Sequence, residues 1–262
     1  MKIGVIGKGF VGSTIYEGLG QINNKMSFYD PKFPSKMEDV LDTEVVFVCV
    51  PTDQKDDGSC DISIVEDVVL KLKQCAYDGM IAIKSTVVPG TTQKLINRWE
   101  DDRICFVPEF LRERSALTDF MLHHDVLVVG AQNHSRTIID AHGNIPKNVM
   151  VMSPTEAELA KYFNNVFNAA RITFANGFFD VCQEMDCDYQ KILEAMTLRE
   201  NIDHHYLRAS ENLRGFGGYC LPKDTEAFQS LVKSLGLKSG IFKAIVDDNN
   251  LYRRTVFEGM RA

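Results

Sequence analysis

Lys2-Ile3-Gly4-Val5-Ile6 runs directly into Gly7-Lys8-Gly9-Phe10-Val11-Gly12, and this stretch decides the fold. The first five residues are mostly apolar and read as a buried β-strand. The glycines then follow the G-x-G-x-x-G pattern. One serves a tight turn, one lets backbone approach a pyrophosphate, and one lets the next helix pack on the strand. Phe10 and Val11 open that helix, whose amino end faces the phosphates of a dinucleotide. Asp30 closes the second predicted strand, 18 residues after Gly12. A carboxylate there accepts hydrogen bonds from the adenosine ribose and repels a 2′-phosphate, so NAD is expected rather than NADP. A tight turn with no cofactor is the plain alternative, and strand, helix and Asp30 together argue against it.

Outward from this turn the pattern repeats. Apolar runs at 2–6, 25–29, 45–50, 80–83, 104–107, 126–129 and 149–152 are rich in Val and Ile, as strands buried on both faces of a parallel sheet are. Amphipathic stretches at 10–20, 61–75, 90–98, 115–122 and 134–142 lie between them. Alternation of this kind implies an α/β domain over 1–152, with a Rossmann-like doubly wound sheet. At Ser153-Pro154-Thr155-Glu156 the character changes to a helix start, with Ser as N-cap and Pro in the first turn. The remainder, 153–262, reads as all-helical: one helix to about 185, then 188–197, 223–235 and 240–259. Ile241, Phe242, Ile245, Val246, Leu251 and Val256 give the last helix a broad apolar surface, so it is expected to be a long dimerisation helix.

The chain has 262 residues, 29 Lys and Arg against 36 Asp and Glu, and a net charge of −7. That balance carries no footprint for nucleic acid, and no stretch approaches the ~20 apolar residues of a membrane span. No signal peptide is read at the start. Seven cysteines without a C-x-x-C pair suggest free thiols in the cytoplasm and no metal site. Adjacent His204 and His205 do not make a metal motif by themselves.

Gly215-Phe216-Gly217-Gly218-Tyr219-Cys220-Leu221-Pro222-Lys223-Asp224 is the most specific segment. Its glycines admit close backbone approach to a ligand. Pro222 suits a first helical turn, so Cys220 is expected at a helix amino end beside Lys223, where a thiol becomes a thiolate nucleophile. A buried structural cysteine is the bland alternative.

This segment resembles the catalytic cysteine motif of the UDP-glucose/GDP-mannose dehydrogenase family. Val50-Pro51-Thr52 with Gly58 and Asp61-Ile62-Ser63 is similar to the family's V-P-T-P…G…D-L-S stretch. Lys84-Ser85-Thr86-Val87-Val88-Pro89-Gly90-Thr91 resembles its S-T-V-P-x-G-T loop, with proline one position later. Pro108-Glu109-Phe110-Leu111-Arg112-Glu113 resembles P-E-F-L-R-E, and Lys161 with Asn165 its K-x-x-x-N helix. The resemblance spans the chain and implies oxidation of a nucleotide-sugar primary alcohol, UDP-glucose first, to the carboxylate with two NAD+. Cys220 adds to the aldehyde, and a thiohemiacetal and then a thioester follow.

The resemblance further implies roles. Lys161 and Asn165 serve as donors to the reacting oxygen, with Asn168 near the same stripe. Asp224 holds water or orients Lys161, and Thr86 holds water near the nicotinamide. Glu113 lies by the nicotinamide or acts as base, and Glu109 lies near sugar and water. Thr52, Thr86, Glu113 and Lys223 join Gly7, Gly9, Phe10, Val11, Gly12 and Asp30 at the cofactor. Phe110, Leu111 and Gly217 join Glu109, Lys161, Asn165 and Cys220 at the substrate.

Two departures stand out. The family continues into a second α/β domain that grips the nucleotide, which this sequence is expected to lack. Its D-x-R-I segment, with a cross-subunit Arg, is absent, leaving Arg199, Arg208 and Arg214 as substitutes. A 3-hydroxy-acid-type dehydrogenase, or a non-catalytic NAD-binding module needing a partner, remain the alternatives.

Overall fold

The computed structural model describes residues 1–55, 57–112, 115–218 and 220–252. They form two compact units, one of residues Met1–Asp53 and Cys60–Lys161, the other of Gln54–Ser59 and the chain from Tyr162 onward.

The first unit alternates strands and helices: β1 Lys2–Ile6, α1 Phe10–Gly20, β2 Lys25–Tyr29, β3 Val45–Val48, α2 Ser63–Gln74, β4 Met80–Ile83, α3 Thr91–Trp99, β5 Ile104–Phe106, α4 Ala116–Leu122, β6 Val126–Gly130, α5 Ser135–His142 and β7 Asn148–Met152. The sheet order is β2-β1-β3-β4-β5-β6-β7. All pairings are parallel except one antiparallel bridge, Phe106 to Gly130. The chain thus winds outward from β1 in both directions, and the reversal falls between β1 and β3. Residues of β3 and β4 are buried on both faces, and two apolar cores flank the sheet. The expectation of full burial fails at the edge strand β7, where Val149, Met150 and Val151 are exposed because this strand has a single neighbour.

The helical series follows: α6 Pro154–Glu184, α7 Tyr189–Thr197, α8 Cys220–Ser234 and α9 Ile241–Leu251. A capping box starts α6, because Ser153 Oγ accepts from the Glu156 N–H at 3.3 Å while the Glu156 carboxylate accepts from Ser153 N–H at 2.8 Å. The first turns of α6 belong to the sheet unit and the rest to the second unit. In the second unit, Ile245 of α9 is buried and the half-buried Phe242 packs edge-on against Phe228, so this part of the apolar surface is covered by its own unit. Ile241 and Leu251 are exposed, and Val256 lies outside the described residues. A longer exposed apolar row lies on α6, through Phe163, Phe167, Phe174, Phe178 and Met185. Among the described residues no helix is long and apolar enough to cross a membrane.

One buried polar residue gives the sheet unit a pH response. His142 is fully buried, with its ring edge-on to Phe47 and Nδ1 donating to the Ile138 carbonyl at 2.8 Å. Burial first, then the Lys84 charge, push its pKa from 6.5 down to about 3. The folded state therefore refuses a proton that the unfolded chain accepts below 6.5, and stability falls as pH drops from 6.5 toward 3, by up to about 1.4 kcal/mol per pH unit. His124 is also depressed, chiefly by burial, and acts in the same direction. Urea unfolding at pH 7 and pH 5 is expected to show this loss, and His142→Leu to flatten it. An unchanged pH dependence in the variant would place the titrating group elsewhere.

Candidate active site

Every strand end that matters in the first unit leaves at the carboxyl edge of the sheet. Gly7 sits just past β1 at φ +87°, and a Cβ there would come within 2.5 Å of the Cys49 carbonyl oxygen at the end of β3. A Cβ on Gly12 would collide with the Gly7 carbonyl, whereas one on Gly9 would meet nothing within 4 Å. Turn, helix packing and open space are thus divided among the three glycines. Gly9 caps α1 with no side-chain hydrogen bond, and the first turn holds no acid. Backbone donors there remain directed at an incoming anion. Asp30, buried at the end of β2, accepts from Lys8 N–H at 2.7 Å and from Lys32 N–H at 2.8 Å, which fixes its carboxylate beside the turn. The Lys8 ammonium lies over the Tyr16 and Phe28 rings, 4.3 and 4.0 Å from their centroids. These features fit a bound dinucleotide. Phe10 and Val11 stand in the first turn of α1, Phe10 exposed and Val11 half-buried.

Thr52 is buried and Thr86 half-buried, on the loops after β3 and β4. Cys60 ties these loops, its thiol 3.4 Å from the Thr86 carbonyl and 3.9 Å from that of Thr52. Beyond β5, Glu109 Oε1 accepts from the N–H groups of Phe110 and Leu111, at 2.8 and 3.2 Å. Lys84 Nζ lies 3.2 Å from Oε2, and Lys161 Nζ donates to the Glu109 carbonyl. Lys161 also lies 5.8 Å from the Phe110 ring centroid. Arg112 grips Asp119 through Nε and Nη2, at 2.9 and 2.7 Å, and this guanidinium holds the Asp119 carboxyl down at about 2. That pair pins the loop of Glu109, Phe110 and Leu111 to α4. Glu113 lies outside the described residues. Glu158, fully buried one turn before Lys161, accepts from Gly90 N–H at 2.5 Å and Thr92 N–H at 2.7 Å. It anchors the start of α6 to the loop carrying Thr86. The sequence reading missed Glu158, although its i, i+3 spacing from Lys161 was visible.

In the second unit, Cys220 is exposed and is the first residue of α8, with Pro222 in its first turn. One turn on, buried Asp224 accepts from Asn165 Nδ2 at 2.6 Å and Lys223 Nζ at 2.7 Å. Lys223 is buried against Asp224. Gly215 and Gly218 take φ +65° and +75°, conformations that favour glycine, and Gly217 is half-buried between them. Two amides hold this loop. Asn176 Oδ1 accepts from Gly215 N–H at 3.1 Å, and Asn249 brackets Phe216 by accepting from its N–H at 2.6 Å and donating to its carbonyl at 3.1 Å. Neither amide was foreseen, since each lies more than thirty residues from its partner. Arg214 donates to Asn176 and Asp180, at 2.7 and 2.5 Å, so it is engaged within its own unit. Arg199 and Arg208 are exposed. Asn168 is buried on α6.

The thiols differ sharply. Burial pushes Cys105 and Cys49 up to about 12, whereas Cys220, Cys75 and Cys187 are exposed. None of the seven cysteines forms a disulfide. Among the described residues no group of three or more His, Cys, Asp or Glu is placed to hold a metal.

A two-part architecture of this kind, sheet unit first and helices after, defines an NAD-binding dehydrogenase class. Residues 32–145 match the NAD-binding domain of the UDP-glucose/GDP-mannose dehydrogenase family, and residues 155–251 its central domain. The putative UDP-glucose 6-dehydrogenase YtcA of Bacillus subtilis is 31% identical over 95% of this chain and 68% of its own. UDP-glucose 6-dehydrogenase AglM of Haloferax volcanii is 29% identical over 95% of this chain and 70% of its own. The structure of a UDP-glucose dehydrogenase from Pyrobaculum islandicum superposes with a TM-score of 0.87 and 31% identity, covering 97% of this chain and 68% of that one. The chain belongs to the UDP-glucose/GDP-mannose dehydrogenase family, and its cofactor is NAD.

Asp30→Ala is expected to weaken NAD binding by about 1.5–3 kcal/mol, the scale of hydrogen bonds to a charged group. The rise in melting temperature with NAD should shrink accordingly, and the preference over NADP should narrow. Equal protection of the unmodified protein by NAD and NADP would contradict the assignment of Asp30 to the ribose.

Proposed function

We propose that this chain oxidises the primary alcohol of a nucleotide sugar to the carboxylate, with UDP-glucose as the first candidate substrate, and that Cys220 carries the sugar as a covalent intermediate. Residues 1–152 hold the cofactor in this reading, and 153–262 supply the cysteine loop. The observation that carries it is Cys220 itself: an exposed thiol at the first residue of a helix, on a glycine turn, one turn before a buried Asp224 that binds Asn165 and Lys223. A helix amino end stabilises a thiolate, the reactive form.

NAD, held at Gly7–Gly12 with Asp30 on the ribose, supplies the hydride acceptor. The rest is the work of side chains. Cys220 adds to the sugar aldehyde, and negative charge gathers on one oxygen. Lys161 and Asn165 are the donors proposed for that oxygen, worth most where the surroundings exclude water. Asp224 fixes the Asn165 amide, so a rigid donor replaces a mobile one. Thr86 holds a water, and Glu109 presents a carboxylate to the water that cleaves the thioester. Water adds to the carbonyl, the C–S bond breaks, and the thiolate returns to Cys220.

A 3-hydroxy-acid-type oxidation needs no thioester and leaves the Cys220 loop without work. A non-catalytic module leaves the buried Asn165–Asp224–Lys223 set unexplained. The covalent reading accounts for both.

Cys220→Ser is expected to lower acid formation from the nucleotide sugar by at least about a hundredfold, the scale of losing a nucleophile, with NAD binding unchanged. Iodoacetamide mapping should show Cys220 protected by NAD plus substrate while exposed Cys75 and Cys187 still react. A Ser variant as fast as the unmodified protein would make Cys220 structural.

A further inference from the structure

Cys182 and Cys187 are brought together by the way α6 ends. Asp186 takes φ +52°. Two backbone bonds nest around it: Asp186 N–H donates to the Gln183 carbonyl at 3.2 Å, and Cys187 N–H reaches back to the Cys182 carbonyl at 2.8 Å. A left-handed residue inside such a pair of bonds is a Schellman ending. The side chain just past the left-handed residue there folds back onto the one five positions earlier, and the two are commonly apolar. Here both positions carry thiols.

The backbone limits how far apart they stand. A Cα lies about 2.4 Å from its own carbonyl oxygen and about 1.5 Å from its own nitrogen. Added to the 2.8 Å bond, these keep the two Cα atoms within about 6.7 Å of each other, inside the span of about 4.4–6.8 Å that a disulfide bridges. The two thiols differ in setting. Cys182 is 3% exposed and packs with Ala175, Phe179, Tyr189 and Leu193. Burial first, then the neighbouring Cys187 and Asp188, raise its thiol above the usual pKa. Cys187 is exposed, and its thiol donates to the Met185 carbonyl at 3.3 Å. Cys187 is thus the thiol that meets a reagent from solvent, with Cys182 behind it.

We propose that Cys182 and Cys187 are a dithiol modification site, which a low-molecular-weight disulfide such as oxidised glutathione converts to an intramolecular disulfide across the end of α6. Cys187 gives up its proton to solvent, and its sulfur attacks one sulfur of the small disulfide. That S–S bond breaks, one thiolate leaves, and a mixed disulfide remains on Cys187. Cys182 then loses its proton to solvent and attacks Cys187 Sγ, expelling the second thiolate. Two electrons pass from the cysteine pair to the small disulfide, which departs as two thiols. The new bond pins the last turn of α6 to the residue that follows the turn. Asp180, two positions before Cys182, accepts from Arg214 at 2.5 Å and from the Tyr252 hydroxyl. Arg214 directly precedes Gly215, so the pinned end belongs to the helix that holds the glycine loop of Cys220.

The test equilibrates the protein with oxidised glutathione at a fixed concentration of reduced glutathione, quenches in acid, blocks free thiols with N-ethylmaleimide and digests with trypsin. Residues 172–191 lie between Arg171 and Lys191, so one peptide carries both cysteines. It should return two hydrogens lighter, unblocked and free of glutathione. Half-conversion should need at least about tenfold less oxidised glutathione than the uptake of glutathione by exposed Cys75, because the second thiol attacks from within the same chain. Cys182→Ala should leave a glutathione adduct standing on Cys187. Cys187→Ser, which changes an exposed side chain and spares the core, should leave Cys182 a free thiol. Amide exchange at Asp186 and Cys187 should slow in the oxidised protein. A glutathione adduct that persists on Cys187 of the unmodified protein, or closure no easier than the reaction of Cys75, would overturn the site. Exchange that stays the same or quickens on oxidation would contradict the pinning of the turn.

Discussion

The five strands β1 to β5 run parallel and leave the sheet at the same edge, and the rest of this structure depends on that. With β1 in the interior and winding in both directions, the ends of β1, β2, β3, β4 and β5 deliver Gly7, Asp30, Thr52, Lys84 and Glu109 to one side. Backbones meet there at contact distance. A Cβ at Gly7 has no room beside the Cys49 carbonyl, so glycine at this position is a steric requirement of the strand order. Charges meet there as well, and the buried Lys84–Glu109 pair exists because β4 and β5 are neighbours.

The fold was legible because its signals are local. Period, glycine spacing and the Ser153-Pro154-Thr155-Glu156 start are each read within a few residues, and they fix the alternation of elements and the beginning of α6. Cys220 was equally legible, since Pro222 and the preceding glycines announce a helix start. What sequence reading could not supply was pairing. Asn249 with Phe216, Asn176 with Gly215, and Glu158 with Gly90 and Thr92 join residues 33 to 68 positions apart. An Asn or Glu on a helix looks alike whether it faces solvent or brackets a backbone. Periodicity shows that a face of α9 is apolar, not what it packs against: Ile245 is buried and Phe242 half-buried within their own unit.

The proposed function rests on a contrast between thiols. Cys49 and Cys105 are held in the neutral form by burial, while Cys220 stands exposed at a helix start. Around it the second unit invests buried polar groups: Asp224, Asn165, Lys223, Asn176 and Asn249 all lie in low exposure with named partners. Buried polar networks are unfavourable unless fully bonded, and a loop held this firmly is suited to presenting one atom in one place. The covalent route proposed above is chemistry that needs such an atom. The chain matches about 70% of the length of the relatives AglM and YtcA, and its two units contain each of the residues to which the proposed reaction assigns work.

The covalent route makes a stoichiometric demand that no simple alcohol oxidation makes. Taking a primary alcohol to a carboxylate removes four electrons, whereas stopping at a carbonyl removes two. With nucleotide sugar limiting and NAD in excess, the absorbance of NADH at completion counts them directly. The account predicts two NADH for each sugar consumed, with the carboxylate as product and no aldehyde released. One NADH for each sugar, or free aldehyde trapped by an added amine, would contradict it.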